Sequence, residues 1–290
     1  MVVLRKNLCG DIGVIIKRSA RPAFLIALTI GLYWPAIRWL GRAWIENDYY
    51  NHGFFLLAVS LLLVWFASNR IKQAPVLNQQ TGLPALLAAG SLYIAGFILH
   101  QPVLLCFSLL LFILSLCWQF LGTQKTRLIW FPILVMALAI PLPSFSEFGI
   151  TLQEWSANGA SNLADIFGMD ASSSGNTITV DGIEYEVAPA CSGLNRIMPL
   201  FSLTAILAYL MAGRLWKKGV LLALVIPVAL FSNIVRILIT MWVGSTWSPD
   251  TAVGFFHDFS SAVLFLLAVG MIVLAAWLLR ILHLRKEVIS

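Results

Sequence analysis

The sequence predicts an all-α polytopic membrane protein with eight transmembrane helices, and with a small extramembrane helix and β-hairpin before the sixth. Three observations predict this class. Hydrophobic residues make up 60% of the 290 positions and charged residues only 11%, with a mean hydropathy of +0.88, which is more apolar surface than a soluble domain can bury. The apolar residues form runs of about 20, the length that spans a bilayer. The charged residues between the runs alternate in sign.

The apolar runs define the predicted helices in order. They cover residues 23–40, 53–67, 82–100, 102–121, 128–142, 192–212, 219–243 and 260–282. The first run follows a basic segment with no pattern for signal-peptide cleavage, so we expect it to be an uncleaved first helix. The predicted organisation is a cytoplasmic segment 1–22, helices one to five within 23–142, an outer segment 143–190, helices six to eight within 191–283 and a cytoplasmic tail 284–290.

The charges between the runs predict the orientation. With a cytoplasmic N-terminus, fifteen of the 19 lysines and arginines lie in inner segments, whereas eleven of the 13 acidic residues lie in outer ones. This is the distribution that the positive-inside rule requires, and it places both termini in the cytoplasm. The net charge of +6 therefore follows from topology and contact with lipid, and nucleic acid is not an expected partner.

The outer segment 143–190 contains no lysine or arginine. Residues 150–167 have helical periodicity, with apolar members that suit an interfacial helix. Residues 177–180 and 183–187 alternate as two strands around Asp181-Gly182, which is typical of a β-hairpin.

Three residues point to chemistry, and the topology places all of them near the outer face. Cys191 begins the inward-running sixth helix, where backbone amides and nearby Arg196 favour a thiolate. Arg236 lies in the seventh helix, about 12 Å below its outer end by helical rise, at a depth where an arginine costs at least about 2.5 kcal/mol. His257 precedes the eighth helix, and a histidine can serve as general base for a thiol.

Each of these residues also has an ordinary structural explanation. A cysteine at a helix start is commonly a small packing residue. A buried arginine can simply pair with an acid, and His257 and Asp258 can cap the last helix. Their shared depth and side of the membrane favours the functional interpretation. The four cysteines match neither a zinc ligand set nor a disulfide framework, and we expect no metal site and no cofactor.

In order and placement, these residues resemble motifs of the exosortase/archaeosortase family. The resembling motifs are Ala190-Cys191-Ser192-Gly193-Leu194, Asn233-x-x-Arg236-Ile237, Phe256-His257, Asp48-Tyr49-Tyr50-Asn51-His52-Gly53 (one residue longer than the family's signature), Pro141-Leu142-Pro143 and Gly175-Asn176. The resemblance covers residues 40 to 275. A histidine at the position of His257 resembles the bacterial branch of the family.

The resemblance implies a membrane cysteine protease or transpeptidase. Its partners would be exported proteins with a C-terminal sorting signal, composed of a Pro-Glu-Pro motif, a transmembrane helix and a basic tail. Cys191 would be the nucleophile, His257 the acid/base and Arg236 the group that stabilises the oxyanion. The implied location is the bacterial inner membrane, with the active site at the periplasmic face.

Further polar residues are candidates for substrate binding. Arg196 could read the acid of the sorting motif, although a role in the core or at an interface fits it equally. His52 and Asp48 lie on the predicted outer face and could line the site or fix the loop before the second helix. Two asparagines complete the candidates for substrate binding. Asn195 directly precedes Arg196, and Asn233 lies three residues before Arg236.

Two other functions remain open at the level of sequence. Arg236 and Arg196 could bind an anionic solute in a transporter or channel, but this requires a hydrated path, and the inner halves of the helices have few polar residues. Alternatively, the outer segment could bind a partner in a non-catalytic membrane assembly factor.

Overall fold

The computed structural model describes residues 24–47, 49–75, 82–142, 145–180, 182–187, 194–246 and 255–285 of a mainly helical chain. Its helices are α1 (Phe24–Leu32), α2 (Trp34–Glu46), α3 (Gly53–Phe66), α4 (Ser68–Gln73), α5 (Gly82–Ile98), α6 (Pro102–Ala137), α7 (Phe145–Ile166), α8 (Leu194–Leu210), α9 (Leu215–Ala223), α10 (Val225–Thr246) and α11 (Phe255–Leu278). Strands β1 (Ala171–Ser174), β2 (Thr177–Val180) and β3 (Ile183–Glu186) complete the described elements. The chain divides into two compact units, residues 1–43 with 75–126 and residues 44–74 with 127–290.

The structure supports a membrane protein but does not confirm eight spans. Within the described ranges, Pro102–Ala137 and Leu215–Gly244 are long and apolar enough to cross a bilayer, and α1 with α2, bent by 67°, would add a third. Four shorter apolar helices have 10–17 residues: Gly53–Phe66, Gly82–Ile98, Arg196–Leu210 and Ala262–Leu278. The predicted runs were longer because apolar residues continue into the turns that end these helices.

Helix α6 joins two runs that the sequence separates. Gly122, with φ 81° and ψ 170°, is the non-helical residue within it. Glycine adopts this backbone conformation without the steric cost of a Cβ. The predicted loop of residues 122–127 is therefore reduced to a break at Gly122, after which the basic residues of the segment are helical.

Buried polar contacts connect the helices of the first unit. The Tyr33 hydroxyl, between α1 and α2, lies 2.8 Å from the Ser108 hydroxyl of α6, which in turn donates to the Ala89 carbonyl of α5 at 2.8 Å. All three residues are at most 1% exposed. Cys106 is buried in the same helix, in keeping with a packing role.

The second unit contains two apolar cores. One groups residues of α7, α8, α9, α10 and α11, among them Leu152, Leu194 and Ala268. The other lies between α7, α10 and the sheet, and includes Ile178 and Val180 of β2. The first core buries the beginning of α10, with Val225, Val228 and Ala229, and the second buries its later half, with Ile237 and Met241.

The predicted hairpin is confirmed, and the structure adds a third strand. Strands β2 and β3 pair antiparallel with Val180 opposite Ile183, and Gly182 has the positive φ of 81° that the turn requires; Asp181 lies outside the described residues. Strand β1 pairs antiparallel with β2. Its Ala-Ser-Ser-Ser sequence has low strand propensity, so no periodicity revealed it.

Helix α7 is confirmed as a helix, and apart from Leu152 and Gln153 its buried face consists mainly of small residues. Five apolar members defined the predicted periodicity of this helix. Leu152 is fully buried and Leu163 half-buried, whereas Trp155, Ile166 and Phe167 are 51%, 76% and 70% exposed. The opposite face, made of alanines, serines and Gly159, packs against α10. A Cβ on Gly159 would lie 2.5 Å from Cδ1 of Ile234. The two helices therefore approach closely, as helices do in membranes where small residues line the contact.

Candidate functional site

The predicted catalytic residues come from three separate parts of the second unit. Arg236 lies in the middle of α10 and is 4% exposed. The backbone of His257 lies in the first turn of α11, although its side chain lies outside the described residues. Cys191 also lies outside them, between Val187 and Leu194, which are described and buried.

Arg236 is buried on α10 one turn after a polar contact between α10 and α7, and Arg236, Asn233 and Ser156 are together called the polar layer. Asn233, one turn earlier on the same face, is fully buried, and its amide donates a 3.0 Å hydrogen bond to the hydroxyl of Ser156 on α7. A charged side chain is stable inside a membrane protein only where polar groups or water surround it. Arg236 is 4% exposed and lies one turn from this contact, so its guanidinium is held inside the protein and not on its surface.

Gln153 connects this layer to the segment that leads to Cys191. It lies one turn before Ser156 on α7, is 6% exposed, and its amide donates to the backbone carbonyl of Val187. Val187 follows β3, so this contact holds the end of the sheet on α7. Sequence reasoning missed both Gln153 and Ser156. Their spacing of three residues, equal to that of Asn233 and Arg236, was the available signal.

A second hydrogen bond sets the register of α10 and α11. The hydroxyl of Ser232 donates to the carbonyl of Leu264 at 2.9 Å. The two helices are joined by the eight residues 247–254, a connection within the range of 2–8 residues that is common between neighbouring helices of a bundle. Arg236 is four residues after Ser232 and His257 seven before Leu264, so their Cα atoms differ in level along the helices by only about 4–5 Å.

The first turn of α8 carries the next two predicted residues. Arg196 is 7% exposed, and its neighbours Leu194 and Ile197 belong to the apolar core that also contains Leu152 of α7. The structure therefore places Arg196 inside the protein. Asn195 has a helical backbone there, and its side chain lies outside the described residues.

The turn before α3 brings two of the resembling motifs together. The Tyr50 hydroxyl accepts a 3.0 Å hydrogen bond from the backbone amide of Leu142. Burial raises the pKa of Tyr50, and this hydrogen bond partly offsets the effect. His52 stacks on Tyr50 with ring centroids 6.2 Å apart. Asp48 lies outside the described residues.

Burial controls the protonation of His52. Both of its ring nitrogens are buried, and this lowers the pKa of His52, while the backbone of Tyr49 raises it by a smaller amount. The neutral imidazole is therefore favoured. Next to it, a Cβ on Gly53 would lie 2.3–2.5 Å from the indole of Trp44, and Trp44 itself donates to the Ala139 carbonyl at 2.8 Å. The turn is thus packed too tightly for a larger residue at position 53.

The described part of the chain holds no group of three or more His, Cys, Asp or Glu side chains that could bind a metal ion. The polar side chains in its interior are instead amides, hydroxyls and two guanidinium groups. Such an arrangement can bind and polarise a carbonyl or carboxylate.

Apolar helices around buried arginine, amide and hydroxyl side chains are typical of a membrane protein with a polar interior. Comparison with protein families identifies which one: residues 44–274 match the family model described as transmembrane exosortase (Exosortase_EpsH). The match covers most of the chain, and the protein belongs to this family. No curated protein and no solved structure matches it.

Proposed function

We propose that this protein is a membrane-embedded cysteine protease or transpeptidase that cleaves the C-terminal sorting signal of exported proteins through a thioester acyl-enzyme. The observation that carries the proposal is the buried layer of Arg236, Asn233 and Ser156, linked through Gln153 to the segment that contains Cys191. Family membership supports the same reaction class.

Chain length limits how far Cys191 can be from this layer. Cys191 lies four residues after Val187 and three residues before Leu194 in the sequence. Its Cα can therefore be at most about 14 Å from that of Val187 and about 11 Å from that of Leu194. Because Gln153 binds Val187 and Leu194 packs in the same core as Leu152, both limits keep Cys191 in the neighbourhood of α7, which supports the proposal.

The proposed reaction has two steps. The Cys191 thiolate attacks the scissile carbonyl carbon, and the oxyanion that forms is stabilised by the Arg236 guanidinium and by backbone amides at the start of α8. The carbon–nitrogen bond then breaks, and the leaving amine takes a proton from His257. Water or an amine attacks the resulting thioester, giving its proton to His257 and restoring the thiolate.

The proposed topology brings substrate to this site laterally. Eight apolar segments would span the bacterial inner membrane, with α6 broken at Gly122 and both termini in the cytoplasm. The signal helix of the substrate would lie beside the bundle, with its Pro-Glu-Pro motif at the periplasmic face and its basic tail in the cytoplasm. Arg196 would then pair with the acid of the motif, and His52, Asp48, Asn195 and Asn233 would line the same face.

Solute transport by Arg236 and Arg196 would need a feature that the cleft in the second unit does not supply. A transporter needs a hydrated path from Arg236 and Arg196 to the cytoplasm. A cleft of about 590 Å³ is present in the second unit, but neither arginine lines it. The other alternative, a non-catalytic membrane assembly factor, would not require an arginine buried in the protein.

Substitution of the nucleophile tests the proposal. In cells that co-express a substrate with a sorting signal, Cys191→Ala is expected to abolish the size shift that processing causes, while the protein accumulates in the membrane. Cys117→Ala is the matched control, because Cys117 is a free cysteine in an apolar helix, and it should process normally. Normal processing by Cys191→Ala would refute the proposal.

A further inference from the structure

The 590 Å³ cleft shares no lining residue with the polar layer and lies between the part of α6 after Gly122, α8 and α9. Its size falls within the range of about 300–1,000 Å³ that is typical of ligand sites. The stacked rings of Phe131 and Tyr209, with centroids 3.7 Å apart, form part of its wall. The proposed peptidase reaction does not use it.

The charged residues that line the cleft are all basic. They are Arg70 at the end of α4, Arg127 of α6, Lys218 of α9 and Arg285 of the C-terminal tail. All four belong to segments that the positive-inside rule assigns to the cytoplasm. The tail is held in place because the Arg285 amide donates to the Leu210 carbonyl at 2.9 Å, and the Ala212 amide to the His283 carbonyl at 2.7 Å. Four cations from separate segments thus converge on one cleft.

Beyond the cations, the walls of the cleft are apolar. Along α6 and the turn that ends it they extend from Leu128 to Leu138, and on α8 from Phe201 to Tyr209. Ten residues of helix rise about 15 Å, which is half of a hydrocarbon core of about 30 Å. The cleft therefore has the depth of a single leaflet.

We propose that this cleft binds an anionic phospholipid of the cytoplasmic leaflet, with the phosphate among the four basic side chains and an acyl chain along α6 and α8. Basic pockets between helices on the cytoplasmic side suit such headgroups. A free anion would leave the apolar walls uncovered. The basic tail of a sorting signal would be repelled by the same cations. This inference does not depend on the proposed peptidase function.

Lipid retention by the full-length protein tests the proposal. The protein is purified in a nonionic detergent and titrated with phosphatidylglycerol, with phosphatidylcholine or with inorganic phosphate, and binding is measured by native mass spectrometry and by the shift in Tm. We expect phosphatidylglycerol to bind and to raise Tm, and the other two to do neither. In Arg127→Gln/Arg285→Gln, which changes two exposed side chains, we expect Kd to rise roughly thirtyfold, at about one kcal/mol per basic residue.

Two further variants distinguish specific binding in the cleft from nonspecific attraction of anionic lipid to basic surface residues. Lys72→Gln/Lys125→Gln removes the same charge from the same predicted face outside the cleft, and should bind phosphatidylglycerol normally. Ala205→Trp fills the cleft without a change of charge and should abolish binding. Equal weakening by the control pair, equal binding of phosphatidylcholine, or a Tm shift with inorganic phosphate alone would overturn the proposal.

Discussion

Replacement of Gln153 by methionine tests whether the contact with Val187 positions the segment that contains Cys191. The substitution keeps the length of the side chain and removes its donor. Gln153 is 6% and Val187 5% exposed, so the carbonyl loses its partner without ready access to water. A buried acceptor left without a donor costs about 1–3 kcal/mol. If this cost destabilises the conformation of residues 187–194 that the reaction requires, processing should slow roughly 5- to 150-fold, because about 1.36 kcal/mol corresponds to a tenfold change in rate.

Ser60→Ala is the matched control for this prediction. Ser60 is buried and donates a 2.8 Å hydrogen bond from its side chain to the Pro132 carbonyl in the same unit, so both variants lose one contact of the same kind. Processing of a co-expressed substrate is measured per amount of folded protein, together with Tm. We expect Ser60→Ala to lower Tm without a change in processing. We expect Gln153→Met to lower both Tm and processing. Equal processing by the two variants would refute a positioning role for Gln153.

Three other predictions concern the layer and its supports. Arg236→Gln should lower kcat about 100- to 1,000-fold with little change in KM, as loss of an oxyanion donor does; a rise in KM alone would indicate substrate binding instead. Gly159→Ala should lower Tm because its Cβ would lie 2.5 Å from Ile234, and the added change Ile234→Val should restore part of the loss. Gly270→Ala, where nothing lies within 4 Å, is its control. Because the pKa of His52 is lowered in the folded state, the unfolded state binds more protons below about pH 6.5, and stability should fall as the pH drops from 7 to 5 by at most about 1.4 kcal/mol per unit. Denaturant titrations of wild type and His52→Gln check this, and an equal pH dependence in both would contradict it.

Much of the secondary structure could be predicted because it depends on local patterns. The apolar runs gave the helices, and Asp181-Gly182 between alternating residues gave the β2–β3 turn. The single-residue break at Gly122 could not be predicted, because the polar residues after it are compatible with either a loop or a helix. Leu152 on the buried face of α7 was identified, but the small residues of that face were missed because close packing in a membrane favours small residues over large apolar ones.

The polar site was only partly predictable for a related reason. Arg236 and Asn233 stand out because polar residues are rare in an apolar helix. Gln153 binds a backbone carbonyl, and a backbone partner leaves no trace in the sequence. For each basic residue of the cleft, the sequence predicted only a cytoplasmic position. That these residues lie around one cleft depends on how α4, α6, α9 and the tail pack, which the sequence does not show.

The most direct measurement is the mass of the peptide that contains Cys191 during turnover of a co-expressed substrate with a sorting signal. The thioester intermediate predicts an adduct on Cys191 equal to the N-terminal cleavage product, which hydroxylamine releases and which Cys191→Ala lacks. Continued processing with an unmodified Cys191, and by Cys191→Ala, would contradict the account.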